Sequence, residues 1–101
     1  MTKIQIVARQ LEDALARQDC AFRRHDSETY AAAVAMAEDA RSALASVPAL
    51  TMAEILAKAK ALGPVTAAAL ASLSEGESAL AASILRDVRR MAEFSAGASD
   101  T

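Results

Sequence analysis

RRHDSE, Arg23 to Glu28, is the most polar stretch of this chain, and the molecule takes one of two forms depending on whether a helix runs through it or turns back there. Upstream, Ile4, Val7, Leu11, Leu15 and Phe22 recur at helical spacing, with Arg9, Glu12, Asp13 and Arg17 mostly off that face. Downstream, Tyr30, Val34, Ala37, Ala40 and Leu44 share a second face, and Glu38 and Asp39 lie off it. Neither glycine nor proline occurs between Lys3 and Ser46. A single helix over that span would run roughly 66 Å at about 1.5 Å per residue. It would need a partner along most of its length, and so short a chain has little else to offer one. Turning at RRHDSE lets the two apolar faces cover each other. Asp26 or Ser27 then serves as N-cap of the second helix, with Glu28 well placed in its first turn. The sequence favours an antiparallel α-hairpin, although no residue in the turn forces a break.

Beyond the hairpin comes SVPALTMAEILAKAKAL, Ser46 to Leu62. Val47 precedes Pro48 and is pushed out of the helical region, which closes the second helix. Thr51 stands three residues before Glu54, the capping-box spacing, in which hydroxyl and carboxylate each satisfy a free backbone N–H. Met52, Ile55, Leu56, Ala59 and Leu62 form the expected core-facing stripe, with Lys58 and Lys60 outside it. Gly63 and Pro64 end the helix. Thr66 to Leu73 reads as one more short helix with Leu70 and Leu73 inward, and Ser74 to Glu77 as a turn. A closing helix from about Glu77 to Phe94 puts Leu80, Ile84, Val88 and Met91 on one face, with Leu85 beside them. The expected fold is all-α: a small helical bundle with a long N-terminal α-hairpin followed by two or three shorter helices. One domain spans residues 1–95, and 96–101 form a disordered tail.

The 101 residues include 27 alanines, which leaves 26 larger apolar side chains once Cys20 is set aside. Alanine forms helices readily, but burying a methyl group contributes only about 0.8 kcal/mol. A monomeric core is therefore limited, and self-association is expected. A net charge of −2 gives no general footprint for a polyanion. The single Cys20 excludes an internal disulfide and fits a reducing compartment. No apolar run has the length of a signal peptide or a membrane span, so the chain reads as soluble and cytoplasmic.

The parts for site chemistry are few. One His and one Cys, His25 and Cys20, do not make a metal site, and no Glu-x-x-His pair occurs. His25 reads as a solvated turn residue and Cys20 as a small half-buried side chain. Nucleophilic catalysis needs a base and an orienting group beside the nucleophile, and a single His in a turn does not supply them. The three glycines, at 63, 76 and 97, form no phosphate loop. No catalytic, cofactor-binding or metal-ligating residue is assigned, and an enzyme is not expected.

Two basic features remain. Arg86, Arg89 and Arg90 fall on one side of the last helix, diluted by Asp87 and Glu93. The segment from Ala57 to Leu73 loosely resembles a helix-turn-helix. Its second helix, however, would offer only Thr66, alanines and Ser72 to base edges. The segments around Pro48, Ala49, Thr51, Ala57 and Lys58, and around Ser83, Leu85, Asp87, Val88 and Arg90, resemble motifs of a group of small Ala-rich helical proteins of alphaproteobacteria with a mobile-element or prophage character. The patterns are TPA-T-x-x-G-x-x-A-K and S-x-L-x-D-L-x-R, with Glu54 where the group often has glycine. The resemblance implies a helical fold and a bacterial origin, and supplies no catalytic residue. The expected function is that of a non-enzymatic helical interaction or adaptor protein. It would self-associate or pack on a protein partner, with Lys58, Lys60, Arg86, Arg89 and Arg90 as polar contacts at the rim. The alternative is a nucleic-acid-binding regulator using residues 57–73 and the last-helix arginines.

Overall fold

The computed structural model describes residues 2–63 and 72–99, with side chains to residue 94. Among these residues there are four helices and no strand: α1 (Lys3–Arg23), α2 (Ser27–Ser46), α3 (Met52–Leu62) and α4 (Glu75–Ser99). The polar stretch is a turn, so the first two helices form the expected hairpin. The break is made by backbone hydrogen bonds at the end of α1. His25 N–H donates to Phe22 O at 3.2 Å and Asp26 N–H to Ala21 O at 3.0 Å. That pair of bonds is a Schellman motif, which reverses the chain by placing one residue in the left-handed region. The residue is His25, with φ of 56°. Asp26 then caps α2, accepting from the Thr29 N–H at 3.2 Å and the Thr29 hydroxyl at 2.7 Å. The hydroxyl first, then the backbone N–H, holds the Asp26 carboxyl below its ordinary range.

A side chain at positive φ carries a steric cost that glycine avoids. We expect His25→Gly to stabilise the protein by up to about 1 kcal/mol. That is the left-handed strain relieved, less the greater chain entropy that glycine loses on folding. The urea midpoint should rise; a fall would mean that the His25 side chain contributes more than its backbone strain costs.

The hairpin packs as a coiled coil. Ile4, Val7, Leu11, Ala14 and Ala21 are buried from α1, and Ala33, Ala37, Ala40 and Leu44 from α2. Both sets keep the three-and-four spacing of a heptad seam. Leu15, Phe22 and Val34, expected inside from their helical spacing, lie exposed, and alanines take the seam positions instead. Phe22 packs against Tyr30 across the turn, with ring centroids 6.1 Å apart and the rings tilted at 49°.

The helices are in contact in the cyclic order α1, α2, α4, α3. Val47 is extended after α2, as the following proline requires. Thr51 caps α3 by accepting from Glu54 N–H at 3.2 Å. The returning arm of the box reaches one residue further back: Glu54 Oε1 accepts from the Leu50 N–H at 3.2 Å rather than from the Thr51 N–H, and also from the Thr51 hydroxyl at 3.4 Å. Gly63 ends α3 with φ 78° and ψ −177°, a conformation essentially confined to glycine. The expected helix at 66–73 falls mainly on residues 64–71, outside the described residues; Ser72 and Leu73 are not helical.

SEGE is not a turn but the start of α4. Ser74 Oγ accepts from Glu77 N–H at 3.1 Å, and Glu77 Oε1 accepts from Ser74 N–H at 3.2 Å, a complete capping box. A second carboxylate joins it from α2. Glu38 accepts from the Gly76 N–H and from the Ser74 hydroxyl, and Arg41 lies beside it. A negative charge at a helix N-terminus is favourable. A Cβ on Gly76 would lie 2.7 Å from the Glu38 carboxylate, so glycine permits this approach. At the other end α4 runs to Ser99, past the expected end at Phe94 and through residues assigned to a disordered tail.

The Glu38 contact makes a pH prediction. The Gly76 N–H first, then the Ser74 hydroxyl and Arg41, pull the carboxyl below its ordinary value of 4.5. A group with a lowered folded pKa stabilises the fold fully above its unfolded pKa, and that stability disappears as pH falls through the folded pKa. Stability should therefore decline below about pH 4.5, and Glu38→Gln should flatten that part of the profile. Gly76→Ala should flatten it too, because it displaces the carboxylate. Its neutral-pH stability should change by less than the roughly 1 kcal/mol normally gained on replacing a helical glycine. Urea titrations at pH 3 to 7 read both; a full acid decline in Glu38→Gln would place the responsible carboxylate elsewhere.

Candidate functional site

Two features on the α3–α4 side of the bundle stand out: a buried polar cluster and an apolar groove beside it. At the centre of the cluster is Lys58, whose side chain is 0% exposed. Its Nζ donates to Ser83 Oγ at 2.6 Å and lies 2.7 Å from Asp87 Oδ2. The other Asp87 oxygen is 3.6 Å from Arg90 NH1, whose side chain is about half exposed. Glu54, one turn before Lys58, is buried as well.

This corrects the expectation for Lys58. It is not a rim contact, and α3 is rotated by about a quarter turn from the orientation its apolar residues suggest. Glu54, Ile55 and Lys58 point inward, while Met52 and Leu56 face out. A buried lysine without a partner is costly, and a carboxylate opposite it offsets that cost only when the geometry is good. Ser83 and Asp87, four apart on α4, supply that geometry, and both are buried. The apolar pattern gave no hint of this. The available signal was the match between two polar spacings, Glu54–Lys58 and Ser83–Asp87, on neighbouring helices.

The short distance between Ser83 and Lys58 invites comparison with Ser–Lys catalytic pairs. Lys58 is ion-paired as an ammonium, which is a donor only and cannot accept the serine proton. Ser83 is also 2% exposed, out of reach of a substrate. The cluster fixes the register of α3 on α4. Lys58, Ser83, Asp87 and Arg90 meet here.

The other expected contact residues are at the surface. Lys60 is exposed and stands 3.8 Å from Glu12 on α1. Arg86 and Arg89 are exposed on α4, and Arg90 is tied to the buried Asp87. The five residues do not form one patch: Lys58 is interior, Lys60 faces α1, and the arginines line one edge of α4. Cys20 is exposed rather than half-buried.

Next to the cluster the surface is apolar. Met52 and Ile55 of α3 line a cleft with Val88, Met91 and Ala92 of α4. A second cleft, lined by Ala49, Leu50, Arg90, Met91 and Phe94, continues it across Met91. Leu56 is 62% exposed, Leu85 68% and Phe94 79%. Helical spacing predicts Met52, Leu56 and Val88 on core faces, with Leu85 beside that of α4. They lie outside because Lys58 and Asp87 take the inward positions.

Among the described residues no group of three or more His, Cys, Asp or Glu side chains could hold a metal ion. No described helix is long and apolar enough to cross a membrane. Compared with family models, curated proteins and solved structures, the chain matches none of them.

Proposed function

We propose that this is a non-enzymatic helical interaction protein whose working surface is the apolar face of α3 and α4. The observation that carries it is a pair of adjoining clefts, one lined by Met52, Ile55, Val88, Met91 and Ala92 and the other by Ala49, Leu50, Arg90, Met91 and Phe94, with Leu56 and Leu85 also exposed on the same two helices. Leu50, Met52, Leu56, Leu85, Val88 and Phe94 are all at least 46% exposed. Exposed apolar side chains gathered around clefts, rather than scattered singly, are the mark of a contact site. The arginines beside it supply polar contacts at the edge. Their setting is of mixed charge, with Asp87 and Glu93 interleaved, which favours a protein partner over nucleic acid. The burial of Lys58 further weakens the nucleic-acid alternative, since it removes one of the two lysines of the helix-turn-helix-like segment. A single free cysteine supports a cytoplasmic setting.

The test is capture of tagged protein from host lysate beside the double variant Leu56→Glu, Leu85→Glu. Both residues are mostly exposed, so the variant keeps its helical signal and urea midpoint. A stoichiometric protein recovered with the wild type and lost with the variant is the expected result. Equal recovery with both would place the working surface elsewhere.

A further inference from the structure

We propose that the occupant of the α3–α4 face is a second copy of this chain, giving a two-fold dimer in which four helices enclose the face from both sides. The inference rests on the functional reading above and names the partner.

The first observation is the spacing of the exposed apolar residues. Met52, Leu56 and Ala59 on α3, and Leu85, Val88 and Ala92 on α4, are exposed at steps of three and four. This is the pattern of a coiled-coil seam, the same that pairs α1 with α2, and here it has no partner among the described residues. The two helices run antiparallel: Met52 lines a cleft with Ala92, while Lys58 further along α3 meets Ser83 and Asp87 further back on α4. An antiparallel pair with an apolar groove between its helices is one half of a four-helix bundle.

The second observation is the thinness of the core. Of the ten members of its main cluster among the described residues, four are alanine, so burying Met52, Leu56, Leu85 and Val88 against a copy supplies large apolar contacts that the chain has few of inside.

The third is sign. A two-fold contact places the same surface on both sides, so the surface must complement itself. Along the outer edge of α4 the charges read Arg86, Arg89 and then Glu93. An antiparallel crossing of α4 on its copy sets the arginine stretch of each chain against Glu93 of the other, twice over. Exposed pairs of this kind contribute little energy, but they fix orientation.

Sedimentation equilibrium from 1 to 100 µM tests this. The wild type should have twice the chain mass of 10.5 kDa, and Leu85→Glu should weaken association at least tenfold while its circular dichroism stays helical. Should Leu85→Glu lose its helical signal, Val88→Lys serves the same purpose. Ile6→Glu, an exposed apolar position on α1, should leave the dimer intact. A dimer insensitive to both α4 variants would overturn the proposal, because the chains would meet elsewhere. A wild-type monomer at 100 µM would overturn it too, and anilinonaphthalene sulfonate then separates two failures. Dye fluorescence that Leu85→Glu abolishes leaves the face as a docking surface for a different protein. A monomer that binds no dye removes the docking surface as well.

Discussion

Lys58→Ala should destabilise the protein by about 3–5 kcal/mol, a large share of the roughly 5–15 kcal/mol that holds a domain of this size together. The loss comes less from the missing attraction than from what remains. Asp87 is 2% exposed, and without the ammonium its carboxylate keeps only the Arg90 guanidinium at 3.6 Å. A buried charge so poorly compensated must be hydrated, and that opens the α3–α4 contact. The double variant Lys58→Met, Asp87→Leu separates this explanation from a simple loss of packing. It removes both charges and fills the space, and replacements of this kind are commonly neutral or stabilising. Ser83 loses its partner but retains the option of donating to a carbonyl one turn back in its own helix. Urea unfolding should show the single variant far below wild type and the double variant near or above it. A single variant within about 1 kcal/mol of wild type would mean that the lysine stem packs without its charge being held, contrary to the geometry.

The same cluster explains how much of the molecule was legible in the sequence. The elements were readable because local chemistry sets them: Asp26 and Thr51 as caps, Pro48 and Gly63 as stops, and apolar residues at helical spacing in each segment. The rotation of α3 was not, because periodicity counts apolar residues and assumes that the richest face turns inward; on α4 Leu80, Ile84 and Met91 do turn inward as expected, and only Val88 of that face is exposed. In α3 Glu54 and Lys58 take inward positions beside Ile55 while Met52 and Leu56 point out, and in α4 Ser83 and Asp87 are buried beside Leu80. Reading them requires a pair of residues 29 apart in sequence to be seen together, which spacing within one helix cannot supply. The Ser74 capping box was legible in principle, since S-x-x-E is the same spacing as Thr51 and Glu54. Gly76 concealed it by suggesting a turn, whereas the glycine is there to admit the Glu38 carboxylate. The burial of Lys58 and Asp87 is also what creates the candidate surface. A bundle that hid Leu56, Leu85 and Val88 inside would have no apolar groove to offer.

Leu80→Ala should be the second severe substitution, at about 2–5 kcal/mol. Leu80 is the only buried hydrophobic residue of α4 among the described residues, fully enclosed in the cluster that contains Ile4, Leu11, Leu44 and Ile55. The polar tie through Asp87 fixes how α4 is oriented, and Leu80 supplies most of the apolar attraction that holds it against the hairpin. Ile84 and Met91 are only half-buried and cannot take over. The hairpin has its own seam of nine buried residues, so the damage should be uneven. Amide exchange in α4 and α3 should accelerate by more than a hundredfold, which corresponds to about 2.7 kcal/mol or more at roughly 1.36 kcal/mol per tenfold step. The middle of α1 and α2 should be protected longer. Equal acceleration in all four helices would show a single cooperative unit, in which the hairpin cannot stand without the pair that lies on it.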